Sequence, residues 1–282
     1  MHRRARVVLG SLAFEDDAVT TRLLDRYVAE GGRALDLANV YRGGDAELAV
    51  GRWLRARRTR DDVVLYVKGC HPPSCSPRLV AREVQTARRL LGVDSLDVFL
   101  LHRDDPEVPV AEFAEALLAQ MEAGMIRAFG VSNWTLPRFR ALAECVGAAG
   151  KLVAFSNHFS LAEMVEPPWP GCLATTKDEV RALADSGVRV LAWSSLAGGY
   201  FAGGDPPSWR SEENGRRRDR VTELARELGA TPTAVALAYV LHQPASLLPV
   251  VGTRSEAHLV DLLAAAEIDL SREQLGRLES GR

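Results

Sequence analysis

Short apolar runs rich in β-branched residues recur along the chain, with amphipathic stretches between them. Strands are predicted at Val7–Leu9, Ala34–Ala38, Val63–Lys68, Leu96–His102, Ala128–Ser132, Val153–Ser156, Val188–Trp193 and Leu247–Val251. The stretches between them step by three or four, as in Val80, Val84, Ala87 and Leu91, or Phe113, Leu117 and Met121, which is helical spacing. Gly92 and Gly124 stand where helix C-caps belong, Thr176-Lys177-Asp178-Glu179 reads as a capping box, and Thr231-Pro232 places a cap before a first-turn proline.

Strands alternating with helices predict a parallel sheet, and eight such repeats close most simply as a (β/α)8 barrel, a TIM barrel. A doubly wound nucleotide-binding sheet would carry Gly-x-Gly-x-x-Gly after its first strand, whereas Val8-Leu9-Gly10-Ser11-Leu12-Ala13 stands there. No Pro/Ser-rich linker divides the chain, so residues 1–282 read as one domain. The one long irregular segment expected is an enlarged loop after the seventh strand, Ala197 to Gly215.

The pattern breaks at Asp36, a charge inside an apolar run, which costs several kcal/mol unless paired. If Leu35 and Leu37 face the helices, Asp36 and Ala38 face the barrel interior. Two later runs end in Lys68 and His102, and Tyr41 follows the second strand closely, so neighbouring strands deliver all four residues to the C-terminal mouth of the barrel.

Hydrophobic residues make up 47% and charged residues 26%, which excludes a disordered chain. Lys+Arg of 35 against Asp+Glu of 37 leaves a net charge of -2, so no global field draws the protein to nucleic acid or an anionic membrane. The basic start, Met1-His2-Arg3-Arg4-Ala5-Arg6, precedes an apolar run too short for a secretory signal or a membrane span, and a cytoplasmic protein acting on small molecules is expected. Oligomeric state is left open, with a monomer favoured. Cys70, Cys75, Cys145 and Cys172 form no C-x-x-C pair, so free thiols and no metal are expected. The basic clusters Arg55–Arg60 and Arg216–Arg220 lack interleaved aromatics and read as solvated helix ends.

A phenol of pKa near 10 is a poor acid at neutral pH, but an ammonium about 4 to 6 Å away lowers that value. Asp36 would hold Lys68 charged beside Tyr41, and His102, in a wall of Val98, Leu100 and Leu101, would donate a hydrogen bond to a carbonyl oxygen. Such a set polarises and protonates a carbonyl, and since it holds no hydride it calls for nicotinamide.

Asp36-x-Ala38-x-x-Tyr41 with Lys68 and His102 resembles the aldo-keto reductase superfamily, (β/α)8 barrels that reduce aldehydes and ketones with NADPH. Further matches are Gly10-Ser11, Glu47-x-x-x-Gly51, Gly124-x-Ile126-Arg127-x-x-Gly130-Val131-Ser132-Asn133 and Pro249-Val250-Val251-Gly252-Thr253-Arg254-Ser255. The resemblance implies Asp36, Tyr41, Lys68 and His102 as the catalytic tetrad, with Tyr41 the general acid. It implies Ser132 and Asn133 on the nicotinamide carboxamide, Trp193 stacked on the ring, and Ser194, Ser195 and Leu196 at the pyrophosphate. Gly10 and Ser11 join the cofactor set, and Gly252, Thr253, Arg254 and Ser255 match the adenosine-phosphate segment. NADPH is the implied cofactor, with NADH possible, and a small carbonyl compound the substrate.

Three departures from the family's pattern stand out. Asn157 replaces a common glutamine, Gly252-Thr253 replaces a Lys-Ser pair with His258 at a further basic position, and Asp261-Leu262 replaces a Glu-Asn that touches adenine. A full N-terminal hairpin plug and a long C-terminal substrate loop are expected to be lacking. Phe14, Trp134, Trp169, Tyr200 and Phe201 are candidates for an apolar pocket wall. Two other readings compete: a nicotinamide-binding regulatory barrel with little turnover, and a lyase forming a Schiff base on Lys68.

Overall fold

In the computed structural model, which describes residues 3–15 and 17–280, each apolar run pairs in parallel with its neighbours in sequence. The strands are β1 (Val8–Gly10), β2 (Ala34–Ala38), β3 (Val64–Gly69), β4 (Leu96–Leu101), β5 (Ile126–Ser132), β6 (Leu152–Ser156), β7 (Arg189–Ala192) and β8 (Leu247–Val251). β8 returns to β1, Val8 opposite Val250, and closes an eight-stranded barrel. The sheet is ringed by α1 (Asp17–Ala29), α2 (Asp45–Arg57), α3 (Val80–Leu91), α4 (Val110–Glu122), α5 (Leu136–Val146), α6 (Lys177–Asp185), α7 (Glu212–Leu228), α8 (Pro232–Leu241), α9 (Glu256–Ala264) and α10 (Arg272–Ser280).

Strand alternation divides the core in two. Leu35, Leu37, Val67, Phe99, Leu101 and Phe129 point outward to the helices, while Val8, Ala34, Tyr66, Val98, Leu100 and Leu248 fill the barrel. The contacts are close enough to demand glycine at two motif positions. A Cβ on Gly130 would lie 2.4 Å from the Ala154 carbonyl oxygen, and one on Gly51 would lie 2.6 Å from that of Leu90, where α2 meets α3.

The N-terminal end of the barrel is sealed. Buried Arg6 donates to the carbonyls of Leu241 (2.7 Å), Leu247 (2.9 Å), Pro244 (3.1 Å) and Gln243 (3.4 Å). Tyr27 Oη lies within hydrogen-bond distance of the carbonyls of Val7 (2.6 Å) and Ala34 (2.8 Å) and accepts from Ala34 N (3.1 Å). Of the basic N-terminal run, Met1 and His2 lie outside the described residues, and Arg3 and Arg4 pair with Asp269, Glu30 and Glu267.

The expected caps form. Gly92 and Gly124 take left-handed backbone (φ 68° and 70°), Thr176 and Glu179 complete a capping box, and Thr231 accepts from Ala234 N. Three expectations need correction. The chain after β7 turns helical at Glu212, not past Gly215, because Ser211 caps that helix by accepting from Asn214 N at 3.1 Å. A second long irregular segment, 157–176, follows β6. The Arg216–Arg220 run is no solvated end: it sits inside α7, where Arg217 pairs with Glu163 and Glu213, Arg220 pairs with Glu213, and both side chains are largely buried. Among the described residues, no helix is long and apolar enough to cross a membrane.

Candidate active site

The pleat of β2 aims Asp36 into the barrel, and the register sets Lys68 of β3 opposite Ala38. The long lysine side chain spans the offset: Nζ donates to Asp36 Oδ2 at 2.6 Å and to Tyr41 Oη at 3.2 Å. Tyr41 is placed by a tight turn in which Arg42, Gly43 and Gly44 all take positive φ (53°, 65° and 97°), a path that suits the two glycines and is strained at the arginine. Because Oη accepts from Lys68, its own hydrogen stays available to a substrate oxygen. His102 stands one residue past β4, with its ring 5.9 Å from that of Tyr41 and edge-on to it. Its Nδ1 has no partner among the described residues. Of the wall expected around it, Val98 and Leu100 face the barrel interior, but Leu101 belongs to the outer layer, as alternation requires.

Electrostatics follow from burial and from Lys68. Burial holds His102 well below the usual imidazole range, helped by the charges on Lys68 and Arg103, so the ring is neutral. For Lys68, burial opposes charge most strongly, yet the combined pull of Asp36 and Tyr41 leaves the ammonium above its ordinary value. Burial raises the Asp36 carboxyl and Lys68 opposes the rise. Tyr41 departs from expectation: its phenol is raised, not lowered, because burial outweighs a lysine charge already compensated by the nearer Asp36. Tyr41 is therefore a firmly protonated donor.

The four residues of the proposed tetrad line one cavity of about 570 Å³. Gly10, Ser132, Asn133, Trp193, Ser194, Ser195, Leu196, Gly252 and His258 share its wall. The other six cofactor candidates stand off it. Ser11 is fully buried with an unpartnered hydroxyl, and Asn157 donates to Trp134 O while its Oδ1 lacks a partner. Thr253 accepts from Ser255 N, Ser255 caps α9, Arg254 pairs with Glu15 at 2.9 Å, and Asp261 accepts from Thr231 Oγ1. Two of the wall residues are already engaged: Ser195 donates to Ala192 O, and Asn133 donates from Nδ2 to His102 O and Ser132 Oγ while its Oδ1 accepts from Leu173 N. Of the aromatic candidates only Trp169 lines the cavity. Phe14, Trp134, Tyr200 and Phe201 pack in the outer layer, Trp134 edge-on to Phe113 and Tyr200 edge-on to Phe201.

The wall also holds Leu12, Val40, His71, Arg103 and Cys172, none of which the sequence pattern assigned to the pocket. For Arg103 the signal was adjacency to His102. All four cysteines are free thiols. No group of three or more potential metal ligands occurs among the described residues.

A closed parallel barrel with a cavity and a cluster of ionisable side chains at the C-terminal strand ends has the architecture of barrel enzymes. The family model for the aldo/keto reductase family matches residues 6–281, and the chain belongs to that family of oxidoreductases. It is 29% identical to an uncharacterized oxidoreductase, YrpG, of Bacillus subtilis (strain 168), with 98% of this chain and 91% of that one aligned. It is 28% identical to 6-dehydroglucose reductase of Agrobacterium fabrum (strain C58 / ATCC 33970), over 95% of this chain and 91% of the relative. Among solved structures, an aldo-keto reductase from Klebsiella pneumoniae in complex with NADPH superposes with a TM-score of 0.78 at 25% identity, covering 97% of this chain and 89% of the other.

Proposed function

We propose that the protein reduces an aldehyde or ketone to the alcohol, reversibly, using NADPH in the cytoplasm, with Tyr41 as the general acid. The observation that carries this is Lys68 Nζ bridging Asp36 and Tyr41 at the cavity wall. Tyr41 donates its proton to the carbonyl oxygen as charge develops there, Lys68 stabilises the phenolate left behind, and Asp36 holds Lys68 in place. Neutral His102 orients the carbonyl by hydrogen bonding. Reduced nicotinamide supplies the hydride when bound.

The residues present fit such a cofactor. Trp193 offers an aromatic face on the wall, and its Nε1 and Ser11 Oγ are buried without partners. Ser132 and Asn133, on the same wall, would hold the carboxamide, and Asn157, whose Oδ1 lacks a partner among the described residues, would complete the set. Gly10, Ser194, Ser195 and Leu196 would follow the pyrophosphate, and Gly252, Thr253, Arg254, Ser255, His258 and Asp261 the adenosine end. NADPH in the Klebsiella relative supports the choice of nicotinamide. Loss of NADPH absorbance with 4-nitrobenzaldehyde is the direct test. Tight NADPH binding with no turnover on any aldehyde, ketone or keto sugar would favour a regulatory barrel instead, and borohydride trapping of substrate on Lys68 would favour a Schiff-base enzyme.

A further inference from the structure

The cavity holds a second cation that proton transfer does not use. Arg103 is 7% exposed and lies on the wall with His71, Trp169 and Cys172. Its donors meet only uncharged groups: Nη1 reaches His102 O at 3.1 Å, and Nη2 reaches Cys172 Sγ, a weak acceptor, at 3.3 Å. It forms no ion pair among the described residues, and its neighbour Asp104 is taken by Arg138 at 2.6 Å. Arg6, also buried and without a carboxylate among the described residues, leaves Nε unpartnered but gives its two terminal nitrogens to four carbonyl oxygens; Arg103 gives its own to one. A buried guanidinium so poorly compensated is costly unless an anion comes to it.

The charges around it point the same way. Asp36 and Lys68 offset one another and His102 is neutral, so Arg103 leaves the substrate end of the cavity net positive. The planar fork of arginine suits a carboxylate held by two hydrogen bonds. His71 Nδ1 donates to Pro72 O at 3.0 Å. The rim is apolar and exposed: Leu12, Val40 and Trp169 are 53%, 43% and 53% accessible.

We infer that Arg103 is a specificity-determining residue and that the substrate is an aldehydic or keto acid. Its carboxylate docks on Arg103, its apolar body lies against Leu12, Val40 and Trp169, and its carbonyl meets Tyr41 and His102. The inference rests on the reductase reading above. The carboxylate is unchanged by the reaction; the carbonyl carbon gains hydride and the oxygen gains a proton.

The test compares kcat/KM for 4-carboxybenzaldehyde and for 4-nitrobenzaldehyde, a planar neutral isostere, on the full-length protein with saturating NADPH. The nitro group activates the aldehyde more, so any preference for the acid reflects binding. Wild type is expected to prefer the acid, and Arg103→Met to reduce the acid-to-nitro ratio by about ten- to hundredfold, the size of one charge-assisted hydrogen bond. Arg103→Lys, which keeps the charge and loses the fork, should fall between. If Arg103 only braces the His102 backbone, both substrates lose equally, the ratio stays within about twofold of wild type, and the inference is overturned while the reductase reading stands. Calorimetry with benzoate and benzamide adds a measurement independent of turnover. Benzoate bound more tightly than benzamide by wild type and not by Arg103→Met supports the anion site even if neither aldehyde is reduced, a result that would sink the reductase reading alone. Equal affinities in wild type overturn the anion site.

Discussion

The two ends of the barrel bury the same residue types and treat them oppositely. At the sealed end, Arg6 and Tyr27 are surrounded by backbone carbonyls, and burial pushes the Tyr27 phenol up to about 12. At the open end, Tyr41 accepts from Lys68 and keeps its proton free, Arg103 has one oxygen, and among the described residues more unpartnered buried atoms gather: Ser11 Oγ, Asp36 Oδ1, His102 Nδ1, Asn157 Oδ1 and Trp193 Nε1, against Arg6 Nε and Ser246 Oγ at the sealed end. A satisfied polar group locks structure, whereas an unsatisfied one stores affinity for whatever arrives. The contrast is what a barrel with its stability at one face and its chemistry at the other requires.

The strongest way to break this contrast is to strip one cation from each end. Lys68→Met strands Asp36 as a buried unpaired charge, so the variant should be nearly inactive and lose about 3 to 5 kcal/mol in denaturant unfolding. Adding Asp36→Asn should restore stability and not activity; a double variant no more stable than Lys68→Met would refute the pair. Arg6→Met should also destabilise, yet its folded fraction should retain wild-type kcat.

The two tyrosines sharpen the comparison. Tyr41→Phe should lower kcat by about a hundredfold or more with little change in Tm or cofactor affinity. Tyr27→Phe should do the reverse, losing about 1 to 3 kcal/mol through unsatisfied backbone groups and sparing kcat. A Tyr41→Phe enzyme with near-full kcat would remove Tyr41 as the acid.

Next in size is a pH effect from the open end and the helices behind it. Glu47 in α2 is fully buried with both oxygens unpartnered, and burial with the nearby Glu83 pushes its carboxyl up to about 8. The folded state then holds a proton that the unfolded state releases above its ordinary value of 4.5, so this group costs stability as pH rises from 4.5 to about 8. Burial takes His158 down from 6.5 to about 4, and the sign reverses: the unfolded state gains a proton first as pH falls below 6.5, so stability drops towards pH 4. Each slope approaches about 1.4 kcal/mol per pH unit. Glu47→Gln should raise stability at neutral pH by on the order of 1 to 3 kcal/mol and flatten the alkaline side; urea midpoints measured from pH 4 to 9 check it, and an unchanged alkaline limb contradicts it.

The smallest effect concerns the adenosine end. Arg254→Ala should weaken NADPH about tenfold, the loss of one charge-assisted contact, and leave NADH nearly unchanged. Because Glu15 pairs with Arg254 at 2.9 Å, Glu15→Gln should tighten NADPH by a few-fold. Equal losses of both cofactors in Arg254→Ala would assign that residue to the loop or the adenine.

Asp36 was legible because a carboxylate inside Ala34–Ala38 has only one economical explanation, and Lys68 and His102 because strand ends of a barrel converge. All eight strands followed from short apolar runs alternating with stretches of helical spacing. What stayed hidden depended on distance across the chain. The upward shift of Tyr41 needed the relative positions of Asp36 and Lys68. Arg103 stood beside Asp104 and Asp105 as though compensated, until Arg138 proved to hold Asp104. Glu15 and Arg254 are separated by 239 positions, and nothing local joins them.

The pairing of Val8 with Val250 also has a consequence in time. During synthesis at roughly 5 to 20 residues per second, β1 emerges roughly ten to fifty seconds before its partner β8 exists. Until then the growing sheet is an arc with a bare strand at each margin, open to pairing with another nascent chain. A chaperone that shields β1 would therefore raise the yield of this protein more than its native stability alone suggests.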